Sequence, residues 1–159
     1  MPGLEDLYRE IILDHYRNPR NRGELPSPPA TRSEGFHPLC GDEIQVYVEI
    51  ENGTVSDIRI GGQGCSISQS SASMMSSAVK GKTVDEARDV VRAFKAMMSI
   101  HEHALDADGN EVEAEPPPDV KLGDLEALRG VVKFPVRIKC ATLAWNTFTQ
   151  GLDEVSTDA

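Results

Sequence analysis

Residues Ile44 to Ile60 read IQVYVEIENGTVSDIRI, and this stretch decides the fold. Ile44, Val46, Val48 and Ile50 alternate with Gln45, Tyr47 and Glu49, which is the period of a strand with one buried face. Asn52-Gly53 follows, a pair suited to a two-residue hairpin turn because both central positions take positive φ. The return strand runs from about Thr54 to Ile60, with Ile58 and Ile60 on one face. Antiparallel pairing is therefore predicted at the centre of the chain.

Helical patterns flank this hairpin. Leu4, Leu7, Tyr8, Ile11, Ile12 and His15 recur at helical spacing, which predicts an amphipathic helix ending near Asn18-Pro19. Pro26, Pro28 and Pro29 mark a rigid, irregular connection. Beyond Gly64, Ser66 to Val79 is rich in Ser, Ala and Met and reads as a helix stopped by Gly81, with small residues suited to close packing on the sheet. Thr83 and Glu86 form a capping box ahead of a helix whose apolar stripe is Val84, Ala87, Val90, Val91, Phe94 and Met98. Leu122 to Leu128 predicts a short helix. Val136 to Trp145 leads through Cys140 into a last helix that Gly151 is expected to end. The fold class is α+β: a small antiparallel sheet of about three strands packed against a helical layer. The expectation is one domain over residues 1–159, with an exposed acidic insertion at about 104–120.

Bulk composition narrows the function. The 159 residues are 39% hydrophobic and 26% charged, as in an ordinary globular protein. No run approaches the roughly 18 to 20 apolar residues of a membrane span, and the N-terminus lacks a signal-peptide layout, so a cytoplasmic protein is predicted. A formal net charge of −10 disfavours nucleic acid, whose phosphates need a dense basic patch. Much of that charge falls between Glu102 and Asp119 and reads as a solvated acidic loop. Three cysteines, an odd number in a reducing compartment, argue for metal or thiol chemistry over a disulfide framework.

Each cysteine has an informative setting. Cys40-Gly41-Asp42 places a thiol and a carboxylate on either side of a glycine, whose backbone freedom lets both face one point. On its own this pattern also fits a buried thiol beside a turn carboxylate. Cys65 lies between a glycine-rich loop and a helix start, where exposed N–H groups and the helix dipole favour a thiolate. Cys140 stands near the start of the last helix, with Arg137 and Lys139 beside it. Taken together, Cys40, Asp42, Cys65 and Cys140 make a four-donor set suited to one tetrahedral Zn2+. Spacings of 25 and 75 residues exclude a compact zinc knuckle, so the donors must converge from a hairpin edge and two helix starts. His37 could also reach such a site, although a structural role suits it better. His101 and His103, two apart, would point to different faces of a helix. Met74-Met75 and Met97-Met98 read as core filler.

These residues together resemble the SufU branch of the family of iron–sulfur cluster assembly scaffolds, the NifU N-terminal or IscU-like fold. The resemblance spans about Leu4 to Gly151. It rests on Asp14-His15-Tyr16-Arg17-Asn18-Pro19-Arg20-Asn21 running to Gly23, on Cys40-Gly41-Asp42, on the segment Gly62 to Ser70, and on Arg137-Ile138-Lys139-Cys140-Ala141. Three departures point to the branch. Lys139 stands where the scaffold proper has a histidine, and Phe134-Pro135-Val136-Arg137 replaces the chaperone-read Leu-Pro-Pro-Val-Lys segment. The third is the acidic segment around Asp106 to Pro118, which matches the insertion of the SufU branch.

The resemblance implies a zinc-dependent sulfurtransferase. It would accept persulfide sulfur from a SufS-type cysteine desulfurase and pass it to downstream cluster-assembly machinery. Cys40 is the implied acceptor, freed from the metal on docking by a histidine of the desulfurase, and Arg137 is a candidate for orienting partner or persulfide. One alternative is a scaffold holding a transient [2Fe–2S] cluster on the same ligands. Another is a structural zinc module that activates the desulfurase by binding alone.

Overall fold

The computed structural model describes residues 4–27, 29–37, 41–98 and 122–157. The elements run α1 (Leu4–Arg17), β1 (Thr31–His37), β2 (Asp42–Glu51), β3 (Thr54–Gln63), α2 (Ser66–Val79), α3 (Val84–Met98), a 3-10 segment (Gly123–Lys133) and α4 (Pro135–Thr157). The three strands form one antiparallel sheet in the order β1-β2-β3.

The central hairpin forms as its sequence dictates. Asn52 and Gly53 adopt φ of 53° and 73°, the left-handed pair that matches the twist of the flanking strands. Ile44, Val46, Val48, Val55, Ile58 and Ile60 line one face of the sheet and join a continuous core with α2, α3 and α4. A register shift at Glu49/Ile50 lets Val55 share that face with Ile58 and Ile60. On the other face Tyr47 is covered by Arg32, whose Nε donates to the phenol oxygen at 3.1 Å.

β1 is an edge strand that the periodicity did not predict. Thr-Arg-Ser-Glu-Gly-Phe-His carries little apolar alternation because its inward face meets α4 through small side chains. A Cβ at Gly35 would lie 2.1 Å from Thr147 Oγ1, so glycine is what lets the strand lie against the helix. Pairing of His37 with Asp42 closes the β1–β2 end of the sheet.

The helices follow their sequence signals with two corrections. Thr83 and Glu86 form the predicted capping box, each backbone N–H donating to the other's side-chain oxygen at 3.1 Å. Gly151 does not end the last helix. α4 continues to Thr157, and Gly151 instead faces β1, where a Cβ would come 3.0 Å from Ser33 Oγ. The short helix expected over Leu122–Leu128 is a 3-10 segment that runs on to Lys133, and Pro135 then opens α4 at a position where its missing N–H costs nothing. The acidic insertion predicted at about 104–120 lies outside the described residues.

α2 crosses the interior between α1, α4 and β3, and its small residues permit that. Ser68, Ser70, Ser71, Ser73 and Ser76 are all buried, and each hydroxyl is hydrogen-bonded. His15 docks α1: its Nδ1 lies 2.8 Å from Ser73 Oγ and its Nε2 3.1 Å from Asp124 Oδ2 of the 3-10 segment. Met74, Met75, Met97 and Met98 are core residues, as expected. Among the described residues no helix is long and apolar enough to cross a membrane.

Candidate metal centre

Three of the four predicted donors meet at one end of the sheet. Asp42, Cys65 and Cys140 each offer a ligand atom, and these atoms all lie within 4.8 Å of one another. Asp42 is the first residue of β2 and fully buried, Cys65 is the N-cap of α2 and half-buried, and Cys140 sits in the second turn of α4 and is fully buried. This is the predicted convergence of a hairpin edge with two helix starts. Cys40 lies outside the described residues.

Local geometry explains how each donor arrives. Gly41, at φ +67°, precedes Asp42 and has open space around it, so the chain turns there without strain. Asp42 Oδ1 accepts the Cys65 backbone N–H at 2.9 Å. That bond fixes the carboxylate to the loop entering α2. Gly64 makes the approach possible: a Cβ there would come 2.3 Å from Asp42 Oδ1 and 2.7 Å from Ser68 Oγ. Gly62, at φ +111°, lets the end of β3 press onto β2, where a Cβ would meet the Glu43 carbonyl oxygen at 2.0 Å. Arg22 holds the same loop, donating to the Gly62 carbonyl at 2.8 Å and to Gln69 Oε1 at 3.3 Å.

The sulfur atoms are placed by the helices. Cys65 Sγ accepts the Ser68 backbone N–H at 3.5 Å, so the thiol caps α2 in the way a serine hydroxyl would. Cys140 Sγ lies 3.8 Å from the Val136 carbonyl one turn earlier in α4.

One donor pair has the separation that a tetrahedral ion requires. Two ligands at zinc–thiolate and zinc–carboxylate bond lengths, set at a tetrahedral angle, would be about 3.6 Å apart. Cys65 Sγ and Asp42 Oδ2 stand 3.7 Å apart. A fully buried carboxylate beside two thiols is costly to keep charged unless a cation offsets its charge. Zinc would answer both needs.

Among the described residues, no other candidate joins the cluster. His37 ends β1 opposite Asp42, but it is not among the grouped ligands, and its buried Nδ1 has no hydrogen-bond partner among the described residues. His101 and His103 lie outside the described residues. Arg137 and Lys139 are exposed on the first turns of α4. The sequence reading missed the polar supports of the site, namely Arg22 and Ser68. Nothing in their spacing distinguishes them from ordinary surface or helix residues.

Comparison with known proteins agrees with this arrangement. The family model for the NifU-like N terminal domain matches residues 7–141. The chain is 42% identical over 149 residues to the zinc-dependent sulfurtransferase SufU of Bacillus subtilis strain 168, covering 94% of this chain and 91% of that protein. It is 36% identical over 149 residues to the iron–sulfur cluster assembly scaffold protein IscU of Streptococcus pyogenes serotype M1, covering 94% and 84%. Among solved structures, a candidate cluster assembly scaffold protein for the SUF system from Fervidobacterium islandicum AW-1 superposes with a TM-score of 0.71 at 29% identity, covering 91% of this chain and 96% of that one. The N-terminal NifU-like protein of Brucella abortus, at 24% identity and a TM-score of 0.75 over 98% and 99% of the two chains, shares the fold. With the fold, the converging donors and the matched span in agreement, the chain belongs to the family of NifU-like N-terminal domains.

Proposed function

We propose that this protein is a zinc-dependent sulfurtransferase of iron–sulfur cluster assembly, accepting persulfide sulfur from a cysteine desulfurase of the SufS type in the cytoplasm. The observation that carries the reading is the buried Asp42 carboxylate set against two thiols, in a chain 42% identical to a zinc-dependent sulfurtransferase. Cys40, Asp42, Cys65 and Cys140 are the ligand set, with one zinc per chain. Cys40 is two residues from Asp42, so backbone length alone keeps their Cα atoms within about 7 Å. When bound, zinc holds its thiols deprotonated near neutral pH and ties the hairpin end to both helices.

The chain's own residues divide the remaining work. Asp42, locked through Cys65 N–H, gives an anionic oxygen on a rigid strand end. Cys65 and Cys140, held by helices, are the fixed thiols. Cys40 is the acceptor: its thiolate attacks the outer sulfur of the desulfurase persulfide and breaks the sulfur–sulfur bond. Cys40 then carries the persulfide, and the desulfurase cysteine leaves as its thiolate. Arg137, exposed three residues before Cys140, is the candidate for orienting an anionic partner group.

Purified protein tests the reading directly. Colourless protein with one zinc per chain, and sulfur acceptance abolished in Cys40→Ala, is the expected result. Undiminished persulfide transfer by Cys40→Ala would remove Cys40 from the reaction. A second reading, a scaffold for a transient [2Fe–2S] cluster on the same residues, is favoured by the likeness to IscU proteins. A stable brown chromophore with stoichiometric iron and sulfide would select it.

A further inference from the structure

The two fixed thiols of the centre sit on different helices, so something must set the distance between α2 and α4. At their crossing lies one buried hydroxyl, that of Ser71. Its Oγ donates to the Ala141 carbonyl at 2.6 Å and accepts the Trp145 indole Nε1–H at 2.9 Å. Ala141 directly follows Cys140, and Ser71 lies six residues beyond Cys65. The hydroxyl therefore ties the turn carrying one thiol to the helix carrying the other.

The direction of these bonds is forced. An indole N–H only donates, and a hydroxyl has one proton. Once Trp145 occupies a lone pair of Ser71, the hydroxyl proton is left for the Ala141 carbonyl. Trp145 cannot swing away, because it is fully buried and stacked on Phe94 of α3 with ring centroids 4.2 Å apart and planes 14° apart. A rigid aromatic thus orients a hydroxyl, which in turn holds the carbonyl next to Cys140. Neighbouring serines of α2 do other things: Ser70 bonds back to Ile67 of its own helix, and Ser73 meets His15 and Arg20.

We propose that Ser71, oriented by Trp145, is a positioning residue that sets the Cys65–Cys140 spacing and so the metal affinity of the centre. This rests on the reading of Asp42, Cys65 and Cys140 as ligands. Groups that orient metal ligands typically change affinity by about 10- to 100-fold when removed, and Ser71 acts at that level through the helix turn of Cys140.

The test compares Ser71→Ala, Ser71→Thr and Ser73→Ala in the full chain, all below their unfolding transitions. Zinc affinity is measured by chelator competition, and bridging of Cys65 with Cys140 by titrating arsenous acid, which condenses with two thiols and releases two waters, into metal-free protein that carries Cys40→Ala throughout the series so that no third thiol competes. Ser71→Ala is expected to lose at least about tenfold in both affinities, and Ser71→Thr, which keeps the hydroxyl, to recover most of it. Ser73→Ala removes an equally buried hydroxyl of the same helix and is expected to change neither by more than about twofold, which separates positioning from general loss of stability. Parental affinities for both probes in Ser71→Ala would overturn the proposal, as would an equal loss in Ser73→Ala. If the unmodified protein bridges arsenous acid without binding zinc, the ligand reading fails. The spacing role then stands or falls on the arsenous acid series alone.

Discussion

Asp42 has two jobs that substitution can separate. Its Oδ1 accepts the Cys65 N–H, and its Oδ2 faces the Cys65 thiol at 3.7 Å. Asp42→Asn keeps an acceptor for the N–H and removes the charge, so it is expected to fold close to parental stability while zinc affinity falls more than about tenfold. Asp42→Ala loses both functions and leaves a partly buried N–H without its acceptor, a cost of up to about 1–3 kcal/mol. Urea unfolding of the metal-free proteins, paired with chelator competition, checks both arms. Equal zinc affinity in Asp42→Asn and parent would remove the carboxylate from the ligand set. At this scale the sequence was most legible: a thiol and carboxylate flanking Gly41, a cysteine at a helix start, and a third cysteine near another helix start were each visible as residue types in a setting. Ser71 was not legible. A serine in a serine-rich helix carries no sign of which hydroxyl will meet a neighbouring helix until the crossing is known.

Among the elements, β1 and α4 illustrate why the remainder was harder to read. Periodicity finds a strand when one face is apolar, and β1 replaces that face with Ser33, Gly35 and His37 because α4 comes so close. Gly35→Ala should therefore destabilise the fold by about 1–3 kcal/mol through overpacking against Thr147, measured as a lowered urea midpoint with unchanged slope. Gly151 misled for a related reason. Its lack of a side chain serves the contact with Ser33 and not helix termination. The capping box of α3 was legible because both partners are local, and it gives a pH prediction. The Thr83 backbone N–H, with its hydroxyl second, holds the Glu86 carboxyl below its ordinary value of 4.5. A carboxyl lowered in the folded state contributes stability that is present above the unfolded value and lost as pH falls through the folded one. Replacing it by Gln in Glu86→Gln should cost most above pH 4.5, with the difference in thermal midpoint from the parent narrowing as acid is added. A difference independent of pH would assign the effect to packing instead.

For the whole molecule, the centre adds a further tie between parts of the chain that the core already packs together. β2, the loop into α2 and the start of α4 meet at Asp42, Cys65 and Cys140. An ion held there binds the folded chain more tightly than the unfolded one, so it adds stability that grows with ligand concentration over the dissociation constant. Chelator should lower the thermal midpoint of the parent and lower that of Asp42→Asn by less. A parent insensitive to chelator would mean that the fold carries its own stability and the ion is incidental. The α+β architecture was legible from the Ile44–Ile60 hairpin and its flanking helices, whereas the order in which helices cross the sheet follows from packing that no local pattern encodes.

The central claim is that Cys40 receives the sulfur while Cys65 and Cys140 stay in place. Peptide mass spectrometry after incubation with a cysteine desulfurase and free cysteine, with persulfides trapped by alkylation, tests it most directly. The account predicts one added sulfur on the Cys40 peptide and none on the Cys65 or Cys140 peptides. Added sulfur on Cys65 or Cys140 with none on Cys40 would contradict it.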